Sequence, residues 1–462
     1  MRWAGGYDGN ASRGISPDLT RVDAHAPPLD IHMADKPFLK RRWVAITGTI
    51  ILTVVGVLII RNFATPEKKL SLVVPHAHAV REPQFKREMG LLLGPSVLPG
   101  NRITALNDGD EIFPAMLGAI ASAQRTITFE TYIYWSGEVG NQFTQALIER
   151  AQAGVKVHVT VDWLGSVKMD NALIEQMRQA GVQVERYRPI NWYNLDRVNN
   201  RTHRKLLVVD GRTGFTGGVG IADQWSGRGQ DPDHWRDSHF MIEGPAVGQI
   251  QAAFNDNWIK TTGTTLTGED YFPALESVGD SDAQLFLASP QGGSESMHLF
   301  YLMAIAASVE RIDLAASYFV PDRLLIHALL EARRRGVAIR ILVPGEHIDS
   351  DTVRLSSRSD WGPLLAAGIE IAEYQPTMLH VKMLIIDREL VSVGSTNFDI
   401  RSFRLNDEAS LNVYDHDFAA DMTGVFDRDW SKGKVYTFER WENRPLKEKV
   451  METLIKPIKS QL

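Results

Sequence analysis

Most of the chain mixes apolar and charged positions, but from Trp43 to Ile60 no residue carries a charge. At about 1.5 Å per residue this run gives roughly 27 Å of helix, enough to span a hydrocarbon core. Lys36, Lys40, Arg41 and Arg42 crowd its front edge, while Arg61, Lys68 and Lys69 follow more sparsely. The positive-inside rule therefore favours a cytoplasmic N-terminus, with the bulk of the chain on the other side. A cleaved signal peptide would need a small-residue site close behind, and Ile59, Ile60, Arg61, Asn62 and Phe63 stand there instead. The expectation is a membrane anchor over residues 43–61, preceded by a disordered tail over 1–42 that begins with Gly, Pro, Asp and Arg lacking apolar periodicity. Met33 would itself serve as a start for such a protein; a native N-terminal sequence beginning before it would overturn that reading.

Beyond residue 100 the pattern switches between helical and strand periods, and does so twice. Ala119–Tyr134 corresponds to Ala304–Phe319, a helix followed by an alternating strand. Ala146–Val159 matches Ala328–Ile341, a helix, a glycine stop and a buried strand, and Ala180–Val184 matches Ala367–Ile371. Offsets drift between about 177 and 187 residues, as insertions in surface loops produce. Repeated helix and strand predicts an α/β protein with two similar lobes related by a pseudo-twofold axis. The lobes are expected over 102–262 and 285–437, with linkers at 62–101 and 263–284 and a basic amphipathic segment at 438–462. In that last segment Leu446, Val450, Met451, Leu454, Ile455 and Ile458 share a helical face ringed by lysines, which suits either anionic lipid or packing on the protein itself. The first half also carries an extra loop, Pro189–Arg197, whose Trp192 and Tyr193 suit either substrate contact or packing on the lobe.

The composition narrows the function. A net charge of −6 disfavours nucleic acid as a partner, and the absence of cysteine removes thiolate zinc sites, disulfides and cysteine nucleophiles together.

What remains is a motif. His203, Lys205 and Asp210 are repeated as His380, Lys382 and Asp387, the pattern H-x-K-x-x-x-x-D both times, and after each Asp a six-residue gap leads to Gly217-Gly218 or Gly394-Ser395. One such spacing arises easily by accident; two at equivalent repeat positions do not. Leu206–Val209 and Met383–Ile386 are apolar runs typical of buried strands, so period two puts the His and Lys of each motif on one face. Two histidines and two lysines facing one cleft suit phosphodiester chemistry: one imidazole attacks phosphorus, the other protonates the leaving oxygen, and the lysines neutralise the equatorial oxygens. A lone histidine is more often a hydrogen-bonded core residue, but duplication with its lysine reverses that preference. A metal site is discounted because the lysines would repel a dication and no third ligand has suitable spacing. An imidazole nucleophile needs its other nitrogen held, and Asp237 and Glu408, each following its motif, are the candidates. Asp210 and Asp387 sit where strands end and read as structural turn residues, and for all four carboxylates a solvated surface position is the alternative.

The duplicated motif with its Gly-Gly or Gly-Ser sequel resembles the phospholipase D superfamily over about residues 100–440. Phe129–Tyr134, Val161–Ser166, Trp235–Asp237 and, most specifically, Gly394–Phe403 with Asn406–Glu408 resemble bacterial cardiolipin synthases. The resemblance implies two lobes of mixed sheet flanked by helices, with motif segments at about 197–224 and 374–401 around one shared site. It also implies a phosphohistidine intermediate, no cofactor, and transfer of a phosphatidyl group to phosphatidylglycerol at the bacterial inner membrane. Carried over residue by residue, it makes His203, Lys205, Asp210, His380, Lys382 and Asp387 catalytic, Asn397, Ser395 and Gly218 phosphate contacts, and Glu408 a histidine partner alongside Asp237. One position departs: Gly220 stands where that family usually has Asn, so one amide donor to phosphate is expected to be missing. Competing readings are a phosphodiesterase of the same superfamily, acting on phospholipid or as an anchored nuclease, and a non-enzymatic membrane scaffold. Two intact His/Lys pairs speak against the scaffold, since burying cations without a task is costly.

Overall fold

The computed structural model describes residues 36–63, 74–190, 199–289 and 296–455. The expected tail through residue 35, Trp192 and Tyr193 of the extra loop, and the chain from Lys456 onward lie outside them. Lys36–Phe63 is one helix, and its stretch Arg41–Leu58 is long and apolar enough to cross a membrane. Its 28 residues give about 42 Å, and Trp43, Ile50 and Leu52 are exposed along it.

The larger unit is built on strands β1 Leu98–Asn107, β2 Thr126–Thr131, β3 Lys156–Asp162, β4 Gln183–Tyr187, β5 Leu206–Val209, β6 Thr213–Gly217 and β7 Ser238–Glu243 in the first lobe. The second lobe supplies β8 Ser281–Ala288, β9 Arg311–Ala316, β10 Phe319–Val320, β11 Ala338–Pro344, β12 Glu370–Tyr374, β13 Lys382–Ile386, β14 Leu390–Gly394, β15 Phe398–Asp399, β16 Glu408–Tyr414 and β17 Gly433–Tyr436. All but β10 and β15 join one mixed sheet among the described residues, in the order β17-β12-β11-β9-β13-β14-β16-β8-β1-β7-β6-β5-β2-β3-β4. Read outward from the antiparallel β1–β8 seam, the lobes give β7-β6-β5-β2-β3-β4 and β16-β14-β13-β9-β11-β12. Each strand of the first lobe therefore has a counterpart at the same place in the second, and β17 extends the second lobe's edge.

Period two divides the core into layers. Leu206 and Val208 of β5, with Met383 and Ile385 of β13, enter a core shared by both lobes beneath the helices Val247–Thr262 and His416–Ser431. Leu207 and Val209 face a core belonging to the first lobe, and Leu384 and Ile386 one belonging to the second. The sheet is thus apolar on both faces at the motif strands, as their unbroken apolar runs require.

Two segments expected as linkers are folded. Within 62–101 the helix Pro83–Leu92 drives Phe85 and Met89 into the second lobe's core, and the last residues of 263–284 belong to β8. At the other end, the helix Leu446–Ile455 buries Ile455 and pairs the buried Glu452 with Arg444 at 2.7 Å, while Leu446, Val450 and Leu454 remain exposed.

Candidate active site

The residues just before β5 and β13 start their strands by crossing to the other lobe. The His203 N–H donates to Asp407 O at 2.8 Å, and the Asp407 N–H donates to Arg201 O at 2.9 Å. In the counterpart, the His380 N–H donates to Arg236 O at 2.8 Å and the Arg236 N–H to Met378 O at 3.0 Å. Each histidine-bearing segment is thereby sewn to the segment that carries a carboxylate in the opposite lobe.

The side chains cross in the same way. His203 Nδ1 lies 2.9 and 3.0 Å from the two oxygens of Glu408, and His380 Nδ1 lies 2.7 Å from Asp237 Oδ2. The carboxylates accept, so each imidazole carries its proton on Nδ1 and keeps the Nε2 lone pair. Burial pushes Glu408 upward, but His203, the hydrogen bonds and Lys205 bring it below the usual carboxylate range, and Asp237 is lowered in the same way by His380 and Lys382. Burial is also the main cause that holds His203 down to about 4 and His380 to about 3, so both are neutral at pH 7.

The lysines stand beside them. Lys205 Nζ donates to His203 O at 2.8 Å. Lys382 Nζ donates to His380 O at 2.8 Å and to Ser317 Oγ at 2.7 Å, and lies 3.0 Å from His380 Nε2. Burial, with the Lys382 ammonium adding to it, lowers Lys205 to about 7; burial lowers Lys382 to about 8. His203, Lys205, His380 and Asn397 line one cavity of about 210 Å³. Asn397 is buried there with its Oδ1 unpartnered among the described residues.

Other expected site residues stand elsewhere. Asp210 accepts the backbone N–H groups of Gln124, Arg125 and Thr126, and Asp387 those of Val309, Glu310 and Arg311. These carboxylates lie at the far ends of β5 and β13, each in the left-handed region at φ 52°, and strap the turn to the start of β2 or β9 rather than reaching the histidines. Ser395 donates its hydroxyl to Glu408 Oε2 at 2.5 Å and its N–H to Ala409 O at 2.9 Å, so it positions a carboxylate. Gly218 donates its N–H to Ser238 O at 3.1 Å, and a Cβ there would lie 2.2 Å from Asp237 Oδ1, so glycine lets that carboxylate approach.

Gly220 lines the cavity, but no Asn side chain would fit without movement: a Cβ would lie 2.9 Å from Ile133 Cβ and 3.0 Å from the Trp225 ring. Trp225, fully buried, fills that space and donates Nε1 to Asp237 Oδ2 at 2.9 Å. Nothing in the sequence pointed to Trp225, which lies 15 residues beyond Asp210 in a single 3-10 turn, Asp223–Trp225. Arg201 and Asn406 also line the cavity, and period two from His203 and Glu408 would have found both.

Comparison with known proteins sets relatives beside this geometry. The family described as "Cardiolipin synthase, PLD-like domain" matches residues 116–258 and 301–430. The cardiolipin synthase of Geobacillus kaustophilus (strain HTA426) is 34% identical over 357 residues, which cover 77% of this chain and 71% of that protein. Cardiolipin synthase 2 of Bacillus anthracis is 33% identical over 351 residues, covering 75% and 68%. Among solved structures, the phosphatidylserine synthase of Haemophilus influenzae Rd KW20 aligns with a TM-score of 0.61 at 14% identity, covering 83% of this chain and 100% of that one, a likeness of fold.

Proposed function

The chain belongs to the cardiolipin synthase, PLD-like domain family, an enzyme family of the phospholipase D superfamily, and on that premise we propose that it joins two phosphatidylglycerol molecules into cardiolipin, releasing glycerol. The observation that carries this reading is the crossed pairing of His203 with Glu408 and His380 with Asp237 around one cavity that both histidines and Lys205 line, with Lys382 3.0 Å from His380 Nε2.

His203 is the better nucleophile. Its ring lines the cavity, Lys205 donates to its carbonyl oxygen, and Glu408, braced by Ser395 and by Asn406 at 3.1 Å, fixes Nδ1. His380, neutral at pH 7, has the Lys382 ammonium 3.0 Å from its Nε2 as a supply of the proton that the leaving oxygen needs. In the first step His203 Nε2 bonds to the donor phosphorus, the bond from phosphorus to the glycerol oxygen breaks, and His380 Nε2 passes to that oxygen a proton drawn from the Lys382 ammonium 3.0 Å away. In the second, a glycerol hydroxyl of another phosphatidylglycerol attacks the phosphohistidine, the P–N bond breaks and His380 takes the proton back. Lys205, Lys382 and the Asn397 amide stabilise the charge on the equatorial oxygens, and the reading assigns no step to a metal.

Mass spectrometry of products from the detergent-solubilised protein and phosphatidylglycerol, with EDTA present, tests this. Cardiolipin and glycerol are expected from the wild type, and neither from His203→Ala or His380→Ala. Phosphatidic acid without cardiolipin would overturn transfer in favour of hydrolysis.

The helix Lys36–Phe63 is read as a single membrane crossing with the catalytic unit outside the cytoplasm, as its basic front edge favours. The chain lacks cysteine, so a membrane-impermeant maleimide applied to intact cells should label the exposed position in Gln142→Cys. Labelling only after lysis would reverse the orientation.

A further inference from the structure

The mechanism leaves two cations of the cavity without a task. Arg201 and Arg401 both line it, together with Tyr132 and Asn406. Arg201 lies two residues before His203, on the same face of the extended segment. It is buried; its Nε donates to Asn200 O at 3.1 Å and its Nη2 to Arg188 O at 2.7 Å, and Asp162 lies 3.5 Å from Nε. Its Nη1 has no partner among the described residues.

Asn406 and Arg401 are brought to the same wall. The Asp407 N–H bonded to Arg201 O sets Asn406 beside that segment, and Asn406 Oδ1 is buried without a partner among the described residues. Arg401 O accepts the N–H groups of Leu405 at 2.8 Å and Asn406 at 3.2 Å, so the Arg401 turn closes on Asn406. Tyr132 lines the same cavity, and burial raises its hydroxyl's pKa while Arg401 and Arg201 oppose the rise.

Cardiolipin formation poses an electrostatic problem that hydrolysis does not. The attacking hydroxyl belongs to a glycerol that already carries a phosphodiester three carbons away, so the acceptor brings a second anion beside the reacting one. Two like charges in a buried site repel strongly unless each meets its own cations. The lysines serve the reacting phosphate. A guanidinium presents a planar fork suited to a phosphate it holds without reacting with it.

Resting on the cardiolipin reading, we propose that Arg201 and Arg401 form an acceptor subsite that binds the unreactive phosphate of the incoming phospholipid, selecting a phosphate-bearing alcohol over water or a simple alcohol. Arg201 is the preset member, held by its carbonyl bonds with one nitrogen left over. Arg401, on a short turn at the cavity wall and only half-buried, is the member that can be changed without emptying the core.

The test offers one phosphohistidine three acceptors: phosphatidylglycerol, which yields cardiolipin; isotopically labelled glycerol, which yields labelled phosphatidylglycerol; and glycerol 3-phosphate, which differs from glycerol only by its phosphate. A charge-assisted hydrogen bond of this kind corresponds to about 10- to 100-fold in use of the acceptor. Arg401→Gln should therefore lower the use of phosphatidylglycerol and glycerol 3-phosphate, relative to labelled glycerol, by at least the lower figure. Arg201→Lys should shift the same ratios less. An equal fall with all three acceptors would overturn the subsite, because the arginines would then serve the donor or the fold. A fall with phosphatidylglycerol alone would overturn it too, since the contact would not be with phosphate. A wild type that exchanges glycerol but makes no cardiolipin would defeat the cardiolipin reading instead, and the glycerol 3-phosphate arm would still decide the subsite.

Discussion

Gly220 shows how a single position changes meaning once its neighbours are known. From sequence it is a missing amide donor, a deficit that restoring Asn should repair. In the structure the space belongs to Trp225, whose indole N–H gives Asp237 a donor in the way that Ser395 and Asn406 give donors to Glu408. The two carboxylates are therefore both braced, by different chemistry. Gly220→Asn would press a Cβ to 2.9 Å from Ile133 Cβ and against the Trp225 ring, a degree of overpacking that costs about 1–3 kcal/mol. The expected outcome is a melting temperature lower by a few degrees with no gain in kcat, read by calorimetry and the cardiolipin assay. A faster enzyme of unchanged melting temperature would show that the indole yields and that the deficit was real.

At the scale of elements, the sequence carried what repeats and what is local. The apolar runs of β5 and β13, the helix and glycine stops before β3 and β11, and the duplicated His and Lys were all visible, because period two and period 3.6 are written into consecutive residues. The crossing was not visible. Glu408 follows the second motif in the chain yet holds the first histidine, because the segments before β5 and β16 bridge one another at Thr202 and Asp407. Arg236 and Leu379 form the matching bridge. Such exchange depends on how two lobes dock, and no spacing along one lobe records it. Asp210 and Asp387 were legible as structural turn residues at their strand ends, but their backbone partners at the start of β2 and β9, 76 to 86 residues upstream, were not. The helix Pro83–Leu92 was missed for a third reason, since its core is the second lobe and its own stretch is too short to announce burial.

For the molecule as a whole, the consequence of joining two lobes at one cavity is that two buried lysines, one from each lobe, come close enough for one to act on the other. Burial is the main cause that lowers both; for Lys205 the Lys382 ammonium of the other lobe adds to it, while Glu408 opposes it. The protonated forms attract phosphate, so affinity for an anionic substrate is present below the free-enzyme pKa values and is lost as pH rises through about 7 for Lys205 and about 8 for Lys382. The histidines, down at about 4 and 3, set no limit above pH 5. Since kcat/KM reports the free enzyme, it should be level from pH 5 toward neutrality and fall between pH 7 and 9. Bound phosphate favours the charged lysines, so kcat should hold to higher pH than kcat/KM does, and phosphate binding at pH 8 should take up protons. Initial rates with a short-chain phosphatidylglycerol across this range measure the first effect, and calorimetry of inorganic phosphate binding in buffers of different ionisation enthalpy measures the second. A kcat/KM level to pH 9, with no proton uptake, would mean that both ammoniums stay charged in the empty cavity and that the carboxylates Glu408 and Asp237, not the ligand, balance them.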